Sequence, residues 1–148
     1  MDTNLIREGI VSAVYPERCS CRVTFPDRDN LVSAELPILQ PAGAKNKFYA
    51  LPDVGDSVVC LMCPNDPQSC GGFVLGSRYD DKTTPPSDNQ DISMIRFEDG
   101  TTLSYSRAEH LLEINCVGNI KINGKRIDLN GYRFSRKIFA LCGRKIYT

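Results

Sequence analysis

Tryptophan is absent from this chain, and histidine occurs once, as His110. A Ser-His-Asp relay would have to be built on that one imidazole, and no nucleophile motif such as G-x-S-x-G stands near it. A glycine-rich phosphate loop and a clustered His/Cys/carboxylate set with metal-ligand spacing are also missing. These absences argue against an enzyme, and no cofactor is expected. Net charge is missing too: 18 Lys/Arg balance 18 Asp/Glu. A dedicated nucleic-acid binder carries a basic surplus, so no nucleic-acid partner is expected. No run approaches the roughly 20 apolar residues that cross a bilayer. The opening Met1-Asp2-Thr3-Asn4-Leu5-Ile6-Arg7-Glu8 lacks the basic-then-apolar plan of a secretory leader. The chain is therefore expected to be soluble when made.

Helical periodicity is scarce as well. Apolar residues seldom recur at three and four, and Pro, Gly, Asp and Asn interrupt every few positions. What is present is a series of short alternating runs. Gly9 to Tyr15 reads as a first strand, closed by Pro16-Glu17. Cys19 to Phe25 reads as a second, with Cys19, Cys21, Val23 and Phe25 on one face. Pro26 to Asn30 is a turn. Leu31–Leu36, Ser57–Cys63 and Gly72–Leu75 complete five strands. Five short strands in one small domain point to a closed barrel, of which the OB-fold is the commonest. The connection Gln40 to Asp56 is long for a hairpin and is where such a barrel carries a helix or extended loop.

Seven cysteines occur: Cys19, Cys21, Cys60, Cys63, Cys70, Cys116 and Cys142. The odd count suits reduced thiols. With a single CxxC, at Cys60 and Cys63, small-hydrophobe packing is favoured over zinc. Asp53 and Asp56 flank Gly55 and read as turn formers rather than an acid/base pair.

Asp80 to Gln90 is polar and holds Pro85-Pro86, the composition of a stiff spacer. The expected division is a barrel over 1–79, a linker over 80–91, a second β segment over 92–131 and a tail over 132–148. In the second segment Ile95, Phe97, Leu103, Tyr105, Leu112, Ile114, Cys116, Ile120, Ile122, Ile127 and Leu129 recur in alternation, broken by Asp99-Gly100, Asn123-Gly124 and Asn130-Gly131. Those residues supply too little apolar surface to bury a core alone. Wrapping several copies about a shared axis is one solution, and a homotrimer is the simple closed form. Hairpins packed back onto the barrel are the other.

Arg7-Glu8-Gly9-Ile10-Val11-Ser12-Ala13-Val14, Val23-Thr24-Phe25-Pro26-Asp27, Leu36-Pro37-Ile38-Leu39-Gln40-Pro41, Tyr49 to Val58, Gly72 to Ser77 and Phe97-Glu98-Asp99-Gly100-Thr101 stand in order along the chain. In these blocks the chain resembles the phage baseplate assembly protein V family, the spike proteins of contractile tails. The resemblance implies an all-β chain: a five-stranded OB-fold barrel that docks a tail hub, then an intertwined trimeric β-helix or prism. It implies a homotrimeric, membrane-puncturing spike in the virion tail baseplate, or the equivalent tip of a tailocin-like particle, made in the host cytoplasm. Gly55 and Gly76 in these blocks suit tight turns or close backbone approach. An OB-fold nucleic-acid binder or general interaction module is the alternative.

Two features depart from the family pattern. Some members end in a His-x-His motif that holds an apical iron; here the one candidate ligand is His110, read as a polar residue where a strand starts. The tail carries Tyr132, Arg133, Phe134, Arg136, Lys137, Phe139, Arg144 and Lys145, five basic residues with no acid among 131–148. Ile138, Leu141 and Ile146 would cap the apolar core, while the aromatic and basic groups suit the anionic host cell envelope. A socket for a separate tip protein is a third use.

Overall fold

The structure is a computed structural model and describes residues 5–63 and 71–130. It is all-β, with antiparallel sheets. The chain divides into two compact units, Met1–Asp88 and Asn89–Thr148.

The strands of the first unit are β1 (Ile6–Tyr15), β2 (Ser20–Phe25), β3 (Leu31–Val32), β4 (Leu36–Pro37), β5 (Ser57–Met62) and β6 (Gly72–Ser77). Proline sets the two turns around β2. Pro16 and Pro26 each open a short 3-10 turn, because the ring fixes φ near its helical value. Cys19 and Asp29 then close those turns in the left-handed region, at φ 51° each. Cys19 therefore leaves the strand face on which alternation placed it. Its thiol lies half-buried, 3.7 Å from the Ile38 carbonyl oxygen. Cys21, Val23 and Phe25 do point into the core.

β1 serves two partners. Its first half pairs with β5, from Ile6↔Leu61 to Ile10↔Ser57, and its second half with β2, to Tyr15↔Ser20. A bulge at Ser12 bends it between them. The crossing is close: a Cβ on Gly9 would stand 2.4 Å from Val23 Cγ1 and 2.8 Å from the Thr24 oxygen. The expected third strand is split into β3 and β4. Ser33 is the cause. Its hydroxyl accepts the Val23 N–H at 3.0 Å, replacing a ladder bond with a side-chain bond. Glu35 is then held by Arg18 (2.6 Å) and by the Ser20 hydroxyl, and Leu36 turns fully into the core. The Arg18 guanidinium first, then the Ser20 hydroxyl, holds the Glu35 carboxyl below the usual carboxylate range.

β5 pairs with β6, from Val58↔Ser77 to Met62↔Gly72. Beyond β4, which pairs with β2, Ile38 lies parallel to Val74 of β6, and the Leu39 N–H donates to the Val74 oxygen at 3.0 Å. The pairing thus returns to β2. Eight buried residues fill the interior: Val11, Cys21, Val23, Phe25, Leu36, Val58, Cys60 and Val74. Each large apolar side chain buried there contributes about 1.5–3 kcal/mol. Gly55, at φ 100°, makes the turn before β5, and its N–H donates to the Val11 oxygen at 2.9 Å. The long Gln40 to Asp56 connection contains no helix.

Part of the stretch read as a linker belongs to the first unit. The Ser57 hydroxyl donates to the Asp80 carboxylate, which also accepts the Lys82 and Thr83 N–H groups at 2.9 and 2.8 Å. Those bonds, the serine's first, keep the Asp80 carboxyl below its ordinary range.

The second unit holds β7 (Ile92–Arg96), β8 (Thr102–Ser106) and β9 (Leu111–Asn115), an antiparallel meander in the order β7-β8-β9. Asp99-Gly100 turns the first hairpin. The Asp99 carboxylate accepts the Thr101 N–H at 2.8 Å, and Phe97 N–H donates to the Thr101 oxygen at 2.9 Å. The second hairpin turns at Arg107 to His110, pinned by an Arg107–Asp91 ion pair. Among the described residues no strand follows Asn115. The alternating runs at Ile120–Ile122 and Ile127–Leu129 were expected as strands and are not. Strand backbone needs a neighbour for its N–H and C=O groups, and among the described residues no strand pairs with 116–130.

Candidate functional site: an uncovered apolar sheet face

Register decides what each side of the second sheet presents. Ile95 stands opposite Leu103, and Leu103 opposite Ile114; Ser93, Tyr105 and Leu112 form the next row on the same face. Five of these six side chains are apolar or aromatic. All five are open to solvent, from 37% exposed at Leu103 to 63% at Leu112. Arg96, Thr102 and Asn115 form a row of the opposite face, and Met94, Ser104 and Glu113 another.

Among the described residues of the second unit nothing covers the apolar face, and none of them is among the buried apolar residues. A sheet that is apolar on one face has to bury that face against another layer. A contiguous exposed apolar patch is the kind of surface at which proteins associate or bind ligands. Of the eleven candidate core residues, Ile95, Leu103, Tyr105, Leu112 and Ile114 are brought together on it. Phe97 lies in the β7–β8 hairpin and is exposed. Cys116 follows β9, its thiol 3.8 Å from the Asn119 oxygen. Ile120, Ile122, Ile127 and Leu129 are exposed on the strandless stretch and join no row.

The remaining candidates are placed as follows. His110 is the last residue of the β8–β9 turn, left-handed at φ 53°, so it precedes the strand rather than opening it. Among the described residues no group of three His, Cys, Asp or Glu is arranged to hold a metal ion. Asp56 accepts the Asp53 N–H at 3.0 Å, which is a turn-forming role. Tyr132, Arg133, Phe134, Arg136, Lys137, Phe139, Arg144 and Lys145 lie outside the described residues, as do Cys70 and Cys142.

Cys21 and Cys60 are fully buried in the core of the first unit. Cys63, three residues beyond Cys60, is only half-buried, and in extended chain positions three apart face opposite sides. Burial pushes both core thiols from an ordinary 9.0 to about 11, with Cys21 adding to the rise at Cys60. The folded state binds these protons more tightly than the unfolded one. The stability they confer is therefore complete below pH 9 and is lost as pH rises toward 11. Iodoacetamide at pH 8 is expected to leave Cys21 and Cys60 intact until the first unit unfolds, as read by mass spectrometry of tryptic peptides. Rapid alkylation of either in folded protein would contradict the packing.

Sequence reasoning missed the Arg18–Glu35–Ser20 cluster and the Ser57–Asp80 contact, because each joins residues that are distant in sequence and carry no motif. No protein-family model matches the chain, and no curated protein matches it.

Proposed function

We propose that the chain is the spike subunit of a contractile injection machine, homotrimeric through its second unit, with the first unit an OB-fold barrel that docks a tail hub. The uncovered apolar face of β7-β8-β9 carries the reading. Three copies turning that face toward a common axis would bury Ile95, Leu103, Tyr105, Leu112 and Ile114 together. The exposed apolar residues of 117–130 would gain strand partners from neighbouring copies, which satisfies their backbone as well. A sandwich of two copies would also cover the face; the threefold count rests on the family resemblance.

The barrel half is supported by its pairing. The ladder runs β3-β2-β1-β5-β6 with β4 on β2, and Ile38, just past β4, meets Val74 of β6 in an isolated parallel bridge. Such an arrangement suits a five-stranded Greek-key OB barrel. In use, the spike would perform no bond chemistry. It would transmit axial force to the cell envelope, and strands shared among chains spread that load over many backbone hydrogen bonds.

The nucleic-acid alternative is disfavoured by charge. Residues 1–80 hold 7 basic and 10 acidic side chains, whereas a single-strand groove is electropositive.

A fragment of residues 1–88 tests the division of labour. The cut follows Asp88 because Asp80 and Thr83 are bonded into the barrel. The fragment is expected to fold and to sediment as a monomer, and to bind no oligothymidylate at low salt. A fragment that remains a tight trimer would show that the second unit does not assemble the chain.

A further inference from the structure

Alternation gives each strand of the first unit an inner and an outer side, and on β1, β5 and β6 the outer side is apolar as well. β5 reads Ser57-Val58-Val59-Cys60-Leu61-Met62, with no polar residue after Ser57. A run without polar breaks is the pattern of a strand covered on both faces. Val58 and Cys60 fill the core, and Val59 and Leu61 alternate onto the other side. Register extends that side to both neighbours. Ile6 stands opposite Leu61, and Leu61 opposite Phe73, a row across all three strands. In the next row Glu8 stands opposite Val59, and Val59 opposite Gly76, with Leu75 the extra residue of a bulge beside it. Ile10 and Ser57 form the third row. Ile6 is 62% exposed, and Ile10, Leu61, Phe73 and Leu75 lie between 37% and 44%.

Charge and size decide what covers this face. About a symmetry axis every charge is brought toward copies of itself, and like charges brought together are destabilising. A face that meets its own copies therefore has to be free of uncompensated charge. The Ile6–Leu61–Phe73 row carries no charge, and Glu8 in the next row is neutralised on its own chain by Arg78 at 2.9 Å. Asp27 shares a hollow with Glu8 and Arg78, but at the Ile10 end of the face, four residues along β1 from that row. An acidic or basic partner would find nothing along the row to answer its charge. At about 200 Å² for a fully exposed large side chain, these exposures leave on the order of 400 Å² of apolar surface in water. That lies within the range of the largest patch on an ordinary monomer, about 300–600 Å². It is about half of the roughly 800 Å² that each partner contributes to a standard interface. The face is too small to capture a free partner and large enough to close on one already held beside it.

We infer that the outer face of β1, β5 and β6 packs against the same face of neighbouring copies, as a second contact that forms once the second units have joined. The inference rests on the homotrimer proposed above. There each first unit is tethered to its neighbours at an effective concentration on the order of millimolar, which makes a contact of this size sufficient.

The test uses the full-length chain with the photoreactive residue p-benzoylphenylalanine in place of Phe73, irradiated at submicromolar protein and read on denaturing gels. A chain with the same group in place of Leu31, which is exposed on β3 and belongs to none of these rows, is the control. Covalent dimers and trimers are expected from position 73, at least about tenfold more than from position 31. Leu61→Asp should lower the yield from position 73 about tenfold while sedimentation still shows a trimer. Ile6→Asp, at the more exposed end of the row, should do the same and covers the case in which the Leu61 variant does not fold. Leu103→Asp, expected to separate the second units, should abolish the crosslinks. A trimer that crosslinks no better from position 73 than from position 31, the result if a different protein covers this face, would overturn the inference and leave the spike reading standing. Crosslinks untouched by both aspartates of the row, or surviving in a monomeric Leu103→Asp chain, would also overturn it. An unmodified chain that sediments as a monomer would overturn the spike reading and the inference together.

Discussion

Leu103→Asp is expected to dissociate the assembled chain into monomers. Leu103 is the middle residue of the Ile95–Leu103–Ile114 row, on the central strand of its sheet. It is also the least exposed of the five apolar side chains on that face even in the single chain. In a threefold assembly the substitution would bring three carboxylates together in an apolar interior. An uncompensated buried charge costs about 3–5 kcal/mol, and here each copy would incur it. The association constant should fall by several powers of ten, so sedimentation at micromolar protein should show single chains. Ser104→Asp is the matched control, since Ser104 pairs with Met94 and Glu113 on the opposite face. It is expected to leave the assembly intact. Should both variants behave alike, the apolar face is not the contact surface.

The second large effect is on the first unit. Phe25→Ala should destabilise the first unit by about 3–5 kcal/mol, a transfer loss plus an unfilled cavity. Phe25 ends β2, is almost completely buried, and lies with its ring 5.8 Å from the Arg7 guanidinium. Its Cδ1 also stands 3.0 Å from where a Cβ on Gly9 would be, so the ring fills the space that glycine leaves at the β1–β2 crossing. Little local rearrangement is available to close the void. A domain of this size has about 5–15 kcal/mol in total, so much of it would be lost. Urea unfolding followed by tyrosine fluorescence checks the value. A loss below about 1 kcal/mol would mean that the site collapses around the alanine, contrary to the packing described.

Much of the first unit was legible from alternation and turn chemistry. Val23 and Phe25 alternate with Arg22 and Thr24, and Pro16-Glu17 and Pro26-Asp27 mark the two ends of β2. Alternation misplaced Cys19 because a left-handed turn residue interrupts the period. It also overran Ser33, whose hydroxyl competes with the ladder for the Val23 N–H. Neither effect is visible without knowing which strand lies alongside. Gly55 was read correctly as a turn residue, whereas Gly76 was grouped with it although its backbone needs no glycine. The apolar rows of the second unit were legible because hairpin register follows from Asp99-Gly100. The runs after Asn115 show the same alternation yet form no strand, since pattern states which residues suit a sheet but not whether a partner strand is present.

Sedimentation equilibrium of the unmodified chain is the most direct measurement of all. The account predicts a particle of three times the 16.5 kDa chain mass, unchanged on dilution through the micromolar range. A stable, folded species at the mass of a single chain would contradict it, because Ile95, Leu103, Tyr105, Leu112 and Ile114 would then stay uncovered in water.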